Sequence, residues 1–305
     1  MKKILLRILL GILAFLIFLA LPYFLKDRSY IPLEKIDLSE LEYEEVTFTN
    51  TIDNIELAGM LFTPEGEGPF PTAIIIHGSG PSFRNSKWYL LTTRHLLNQG
   101  IAVLLPDKRG CEKSGGEWRG ESLETLSNDV LACIDFIKTQ EYFEAKNIGL
   151  VGMSQGGWIA PIASTRSEDL DYMISFSGPT CTAKEQLAHE QIYNIAPYTY
   201  TFLAKWIGPT TVERIQKMPH YPDMAEYDPI PYIKEVNIPM FYAFGEGDEN
   251  LPVDLSIQRL KEHDLFYTMR VEIYPNGGHG IVENDDSGRL SQKFLSDMTT
   301  FIKSN

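Results

Sequence analysis

The stretch of this chain best equipped for chemistry is a serine set between glycines, Gly152-Met153-Ser154-Gln155-Gly156. Asn147 to Val151 leads into it as a short apolar strand, and Gly156 to Ala160 follows with residues that suit a helix. A strand, a tight turn and a helix around one serine leave its Oγ exposed on strained backbone, a nucleophile elbow. The flanking glycines are needed because strand and helix pass close together there. A serine hydroxyl is unreactive at neutral pH unless a base removes its proton, so a partner is required. Two loops offer one. Glu246-Gly247-Asp248 follows the apolar run Phe241 to Gly245, and Asn276-Gly277-Gly278-His279-Gly280 follows Val271 to Pro275. Ser154, Asp248 and His279 thus each fall just past the carboxyl end of an expected strand, the edge of an open α/β sheet at which ligands bind.

Two further segments belong with these. Thr72 to Ile76 is an apolar strand ending in His77-Gly78-Ser79-Gly80, which resembles the His-Gly-x-Gly oxyanion loop of esterases and lipases. Val103 to Gly110, then Ser114-Gly115-Gly116, resembles the Asp-x-Arg-Gly-x-Gly-x-Ser segment after the next strand in many of these enzymes, with Cys111-Glu112 in place of the usual second glycine region. Taken together, the chain from about Glu42 to Ile302 resembles the α/β-hydrolase superfamily, in particular its small bacterial esterases and dienelactone-hydrolase-like members. That resemblance implies a mostly parallel sheet flanked by helices and a triad in the order Ser154, Asp248, His279. It also implies an oxyanion hole from the backbone N–H groups of Ser79 and Gln155, and no cofactor. The expected reaction is hydrolysis of a carboxylic ester through an acyl-enzyme. A serine peptidase of aminopeptidase type and an acyl-CoA thioesterase would use the same triad. A non-enzymatic binding protein on this scaffold is disfavoured by the intact Ser, Asp and His.

Each of these residues has competitors. Glu246, Glu249 and Asp254 lie near Asp248, but the strand Tyr172 to Ser177 carries no carboxylate at its tip, which leaves the acid to the next strand. His263 sits in a charged helix end, and His95, His189 and His220 precede the acid. His77 reads as a support for the oxyanion loop, and Asp107 with Arg109 as an ion pair bracing theirs. Trp88, Trp118 and Trp158 read as core or pocket wall. No group of His, Asp, Glu and Cys has metal-ligand spacing.

The elements that must position this set alternate as βαβ units require. Glu42 to Asn50 and Ile52 to Thr63 read as an opening hairpin. Lys87 to Gln99 reads as a helix, and Leu123, Leu126, Val130, Cys133 and Ile137 fall at helical spacing. Asp254 to His263 and Leu290 to Ile302 are the closing helices. Thr180 to Val236 breaks the alternation and is rich in Tyr, His, Pro and Met, so residues of about 180–237 are expected to form a helical lid.

The composition, 44% hydrophobic and 22% charged over 305 residues, is that of a globular domain that needs no disulfide framework from its three cysteines. A formal net charge of −14 repels phosphate backbones and disfavours nucleic-acid binding. Lys2, Lys3 and Arg7 precede Ile8 to Leu25, which carries no charge; at helical rise it is about 27 Å long, close to a bilayer's hydrocarbon thickness. Phe18 and Pro22 suit a cleavage site poorly. Residues 1–28 are therefore expected to be an uncleaved membrane anchor, with 29–41 a tether and 42–305 the hydrolase domain facing away from the cytoplasm; a cleaved signal segment and a secreted enzyme are the alternative.

Overall fold

The computed structural model describes residues 2–26, 31–140, 143–218, 221, 224 and 226–305. Residues 1, 27 and 28 of the expected anchor, 29 and 30 of the tether, and 219, 220, 222, 223 and 225 of the expected lid, His220 among them, lie outside the described residues.

Among the described residues, eight strands form one sheet: β1 (Glu44–Asn50), β2 (Ile55–Phe62), β3 (Phe70–Ile76), β4 (Ala102–Pro106), β5 (Phe143–Met153), β6 (Tyr172–Phe176), β7 (Met240–Gly245) and β8 (Arg270–Tyr274). Their spatial order is β1-β2-β4-β3-β5-β6-β7-β8. The opening hairpin turns at Asn54, whose φ of 53° is a conformation asparagine tolerates, and β2 pairs antiparallel with both β1 and β4. From β4 onward every pairing is parallel. Parallel strands must be covered on both faces, and β3, β6 and β7 are accordingly apolar runs.

Two cores flank the sheet. On one side α2 (Lys87–Asn98) and α9 (Gln292–Ser304) bury Leu90, Leu96, Phe294 and Met298 against Ile75, Val103 and Ile174. On the other, α3 (Leu123–Lys138), α4 (Gly156–Ser164), α7 (Ile230–Glu235) and α8 (Val253–Glu262) pack around Ile74, Leu104, Leu150 and Tyr242. The expected helical positions of α3 are the buried ones: Leu123, Leu126, Val130, Cys133 and Ile137. Ser122 caps that helix by accepting from the Thr125 N–H.

Between β6 and β7 the chain makes a helical excursion through α5 (Ala183–Ile195) and α6 (Thr201–Ile215) before α7. Thr182 and Glu185 form a capping box that starts α5. Arg259 of α8 ties the excursion down, pairing with Asp228 at 2.5 Å and donating to the Thr180 carbonyl oxygen at 3.2 Å. At the other end of the chain, α1 (Lys2–Leu25) is a single helix with most of its apolar side chains exposed, long and apolar enough to cross a membrane.

Candidate active site

The elbow is built by close approach. Ser154 sits between β5 and α4 with φ at 54°, a left-handed conformation that costs a non-glycine residue about 1–3 kcal/mol. Its N–H donates to the Phe176 carbonyl oxygen at 2.9 Å, and its carbonyl accepts from Gly157 at 2.8 Å. Any Cβ at Gly152 would run into the Gly156 carbonyl, and one at Gly156 into that of Ile76. The pentapeptide is glycine at these positions because the backbone leaves no room for anything else.

His279 and Asp248 meet as their order in the chain anticipates. The His279 Nδ1–H donates to the Asp248 carboxylate, 2.8 Å from Oδ2 and 3.0 Å from Oδ1. Asp248 is buried and also accepts from the Asn250 and Leu251 N–H groups at 2.8 and 3.1 Å, so its orientation is fixed from two sides. Glu249, a rival for the acid on sequence grounds, instead accepts from the His279 backbone N–H at 3.2 Å. The Trp88 ring packs 5.3 Å from the imidazole. Burial by itself lowers the His279 pKa; the charge and hydrogen bond of Asp248, with Glu249 and Glu190 behind them, outweigh it and hold the pKa above its ordinary value.

A cavity of about 160 Å³ joins these groups. Ser154, His279, Ser79 and Gln155 line it, with Trp158, Leu187, Glu190, Met224 and Leu251 among its walls. Among the described residues, neither the Ser79 nor the Gln155 backbone N–H has an acceptor. Two open donors, a hydroxyl and a carboxylate-held imidazole around one cavity are the parts that acyl transfer needs.

The loop carrying Ser79 is held from beneath by residues that sequence reading passed over. The Gly78 N–H donates to the Tyr89 hydroxyl at 2.9 Å. Lys108, only 7% exposed, donates through Nζ to the carbonyl oxygens of Gly78 and Gly80 at 2.8 and 3.0 Å and lies 3.5 Å from Gln155 Oε1. Its ammonium stacks over the Trp118 ring at 5.0 Å and pairs with no carboxylate among the described residues. Burial pushes its pKa down to about 8. His77 supports the same loop: its Nε2–H points at the Pro106 carbonyl oxygen at 2.5 Å while the Ser82 hydroxyl donates to Nδ1 at 2.9 Å. Burial lowers its pKa to about 4, so the ring is neutral.

The expected ion pair between Asp107 and Arg109 is not formed. Asp107 binds Arg84 through three contacts of 2.7–3.1 Å. Arg109 turns the other way and binds Asp53 at 2.5 Å and Asp129 at 2.7 Å. The chain turns at this point, with the Cys111 N–H donating to the Lys108 carbonyl oxygen at 2.9 Å, so two residues that extended backbone would set on one side point apart.

Comparison with known proteins agrees with this architecture. The model of the prolyl oligopeptidase family matches residues 81–304. The esterase EstD of Thermotoga maritima is 24% identical over 70% of this chain and 53% of its own length. The human acylamino-acid-releasing enzyme is 23% identical over 76% of this chain and 32% of its own. The chain thus spans about half or less of the length of these curated relatives. Among solved structures, an esterase from Pyrococcus furiosus superposes with a TM-score of 0.65 at 19% identity, covering 90% of this chain and 97% of that one. The shared fold is that of the α/β hydrolases, and with the family model spanning β4 to β8 and the helices from α2 to α9, well over half of the chain, the chain belongs to the prolyl oligopeptidase family of serine hydrolases.

Proposed function

We propose that the protein hydrolyses carboxylic esters of short acyl chain through an acyl-enzyme. In this reading Ser154 Oγ attacks the ester carbonyl while His279 takes its proton at Nε2, the nitrogen that Asp248 leaves free. The oxyanion forms against the Ser79 and Gln155 N–H groups. His279 then protonates the departing alkoxide, and a water deprotonated by His279 releases the acid. The observation that carries the proposal is the Asp248–His279 pair opening on the same cavity as Ser154 and two unengaged amides. The size of that cavity supports a small acyl group, since a comparable void of about 150 Å³ holds a benzene ring.

The family also contains peptidases by name, and the likeness to acylamino-acid-releasing enzymes favours a second reading, cleavage of a blocked amino-terminal residue. Labelling with a fluorophosphonate, followed by peptide mapping and a p-nitrophenyl ester series beside acetyl-alanine p-nitroanilide, separates the two. An adduct on Ser154, turnover highest for acyl chains up to about six carbons, and slow anilide cleavage are expected. An adduct on another serine removes the mechanism, and faster anilide than ester cleavage selects the peptidase.

We place the catalytic domain outside the cytoplasm on an uncleaved α1, as the basic residues ahead of the apolar span favour. Mass spectrometry of the membrane fraction is expected to find the N-terminus at or near Met1, and protease added to spheroplasts to digest the domain. A start near Leu21 means secretion instead.

A further inference from the structure

Helix α1 and the excursion meet at one place, and the sequence dictates where. Pro22 lies within α1 and has no N–H, so the carbonyl of Phe18, four residues earlier, loses its helical partner. Tyr200 supplies one: its hydroxyl donates to the Phe18 carbonyl oxygen at 2.8 Å. The two rings stack with centroids 4.6 Å apart. Lys26 reaches back to donate through Nζ to the Ala196 carbonyl oxygen at 2.7 Å, and Tyr23 packs against Tyr198. An unsatisfied carbonyl is severely penalised in hydrocarbon and hardly at all in water. A tyrosine placed to satisfy it therefore suits a contact at membrane depth.

What lies beside this clasp suits the same surroundings. Phe202 and Trp206, four residues apart on one face of α6, are 62% and 73% exposed. In a chain of net charge −14, α6 and the turn after it carry Lys205, Arg214 and Lys217, all exposed, against a single acid, Glu213. Aromatic rings flanked by cations are the composition of a segment that lies at the boundary of headgroups and acyl chains on an anionic leaflet. The inner side of α6 packs closely on α5, where a Cβ at Gly208 would press on Ile192, and α5 contributes Gln186, Leu187 and Glu190 to the cavity wall.

We propose that the outer face of α6 rests on the lipid surface beside α1, with Phe202 and Trp206 in the headgroup–acyl boundary. The helix that walls the cavity is thereby held at the leaflet, and the preferred substrates are amphiphilic esters that partition there. The substrate clause rests on the ester-hydrolase reading; the docking itself does not.

The test uses the full chain in vesicles of phosphatidylcholine and phosphatidylglycerol. Trp206 fluorescence, isolated as the difference between the protein and Trp206→Phe, is expected to be blue-shifted and quenched by lipids brominated near the headgroup, and less so in phosphatidylcholine alone. Quenching by aqueous iodide but not by bromolipid overturns the docking, as does a crosslink joining position 206 of two copies. In the same vesicles, Phe202→Glu with Trp206→Glu is expected to slow a lipid-borne fluorogenic ester about tenfold and to leave p-nitrophenyl acetate unchanged. An equal fall on both esters overturns the substrate clause. A wild-type chain inert to p-nitrophenyl acetate overturns the hydrolase reading and leaves the quenching result to judge the docking.

Discussion

Lys108 keeps an ammonium out of water with carbonyl oxygens and a ring face in place of a carboxylate. Such a site is destabilising by itself, and what it secures is the direction of the Gly78–Ser79 peptide group, which carries the Ser79 N–H, and of the Gly80–Pro81 peptide group beyond it. Lys108→Met is therefore expected to leave the fold intact while lowering kcat about 10- to 100-fold with KM little changed. Steady-state kinetics on a short p-nitrophenyl ester beside urea unfolding measure this, and an unchanged kcat would reduce Lys108 to packing. The pH profile follows from His279. Burial opposes its protonation, but Asp248, Glu249 and Glu190 win, so its pKa is raised. The base acts only when neutral, so activity is lost as pH falls through that raised pKa, and the acid limb of kcat/KM is expected above pH 6.5. Removing a negative charge makes the imidazolium less favourable and keeps the ring neutral to lower pH. Glu249→Gln and Glu190→Gln should each move the limb down; a limb that stays put would mean that neither carboxylate is felt at the ring. Asp248→Asn is expected to fold and to lose kcat by roughly 10³–10⁴-fold through the wrong tautomer. The contact of Asp248 with His279, and the placing of His279 on one cavity with Ser154, were legible because each residue belongs to a short glycine-marked segment whose meaning is local. Lys108 and Tyr89 were not, because their roles depend on which loop folds over them.

Among the elements, Arg109 links the β1–β2 hairpin, the loop after β4 and helix α3 in one network. It binds Asp53 in the hairpin turn and Asp129 in α3, and Asn50 and Asn128 hydrogen-bond to the same two carboxylates. Arg109→Met would leave both acids facing each other without a cation. Their partial exposure, 23% and 17%, softens the loss, so a destabilisation of about 1–3 kcal/mol is expected from urea unfolding, with a smaller effect for Asp53→Asn. No change in midpoint would show the network to be solvated decoration. The strands and helices themselves were readable from apolar runs and helical spacing, because burial on both faces of a parallel sheet writes itself into composition. The partners of Arg109 were not, being 56 and 20 residues away along the chain. The same limit hid the clasp between Tyr200 and Phe18: Pro22 marks a freed carbonyl, but nothing in the one-dimensional pattern says which hydroxyl reaches it.

At the scale of the whole molecule, charge is unevenly shared, with a strongly acidic chain carrying a basic, aromatic outer helix in its excursion. The overall class was legible because alternating elements admit few topologies. The depth to which the excursion covers the cavity was not, since α5 and α6 carry no β-strand to register them. The sheet has one more consequence. The cavity draws on loops after β3, β5, β7 and β8, and β8 pairs with β7 at the edge farthest from the opening hairpin. During synthesis, then, Ser154 emerges long before His279, the base of the proposed mechanism, and during refolding the imidazole is delivered only once the final parallel pairing has closed, a slow, non-local event. Reactivity toward a fluorophosphonate therefore works as a clock for completion: after dilution from urea, labelling of Ser154 is expected to lag the return of far-ultraviolet dichroism, whereas coincident recovery would mean that the last strand docks with the first.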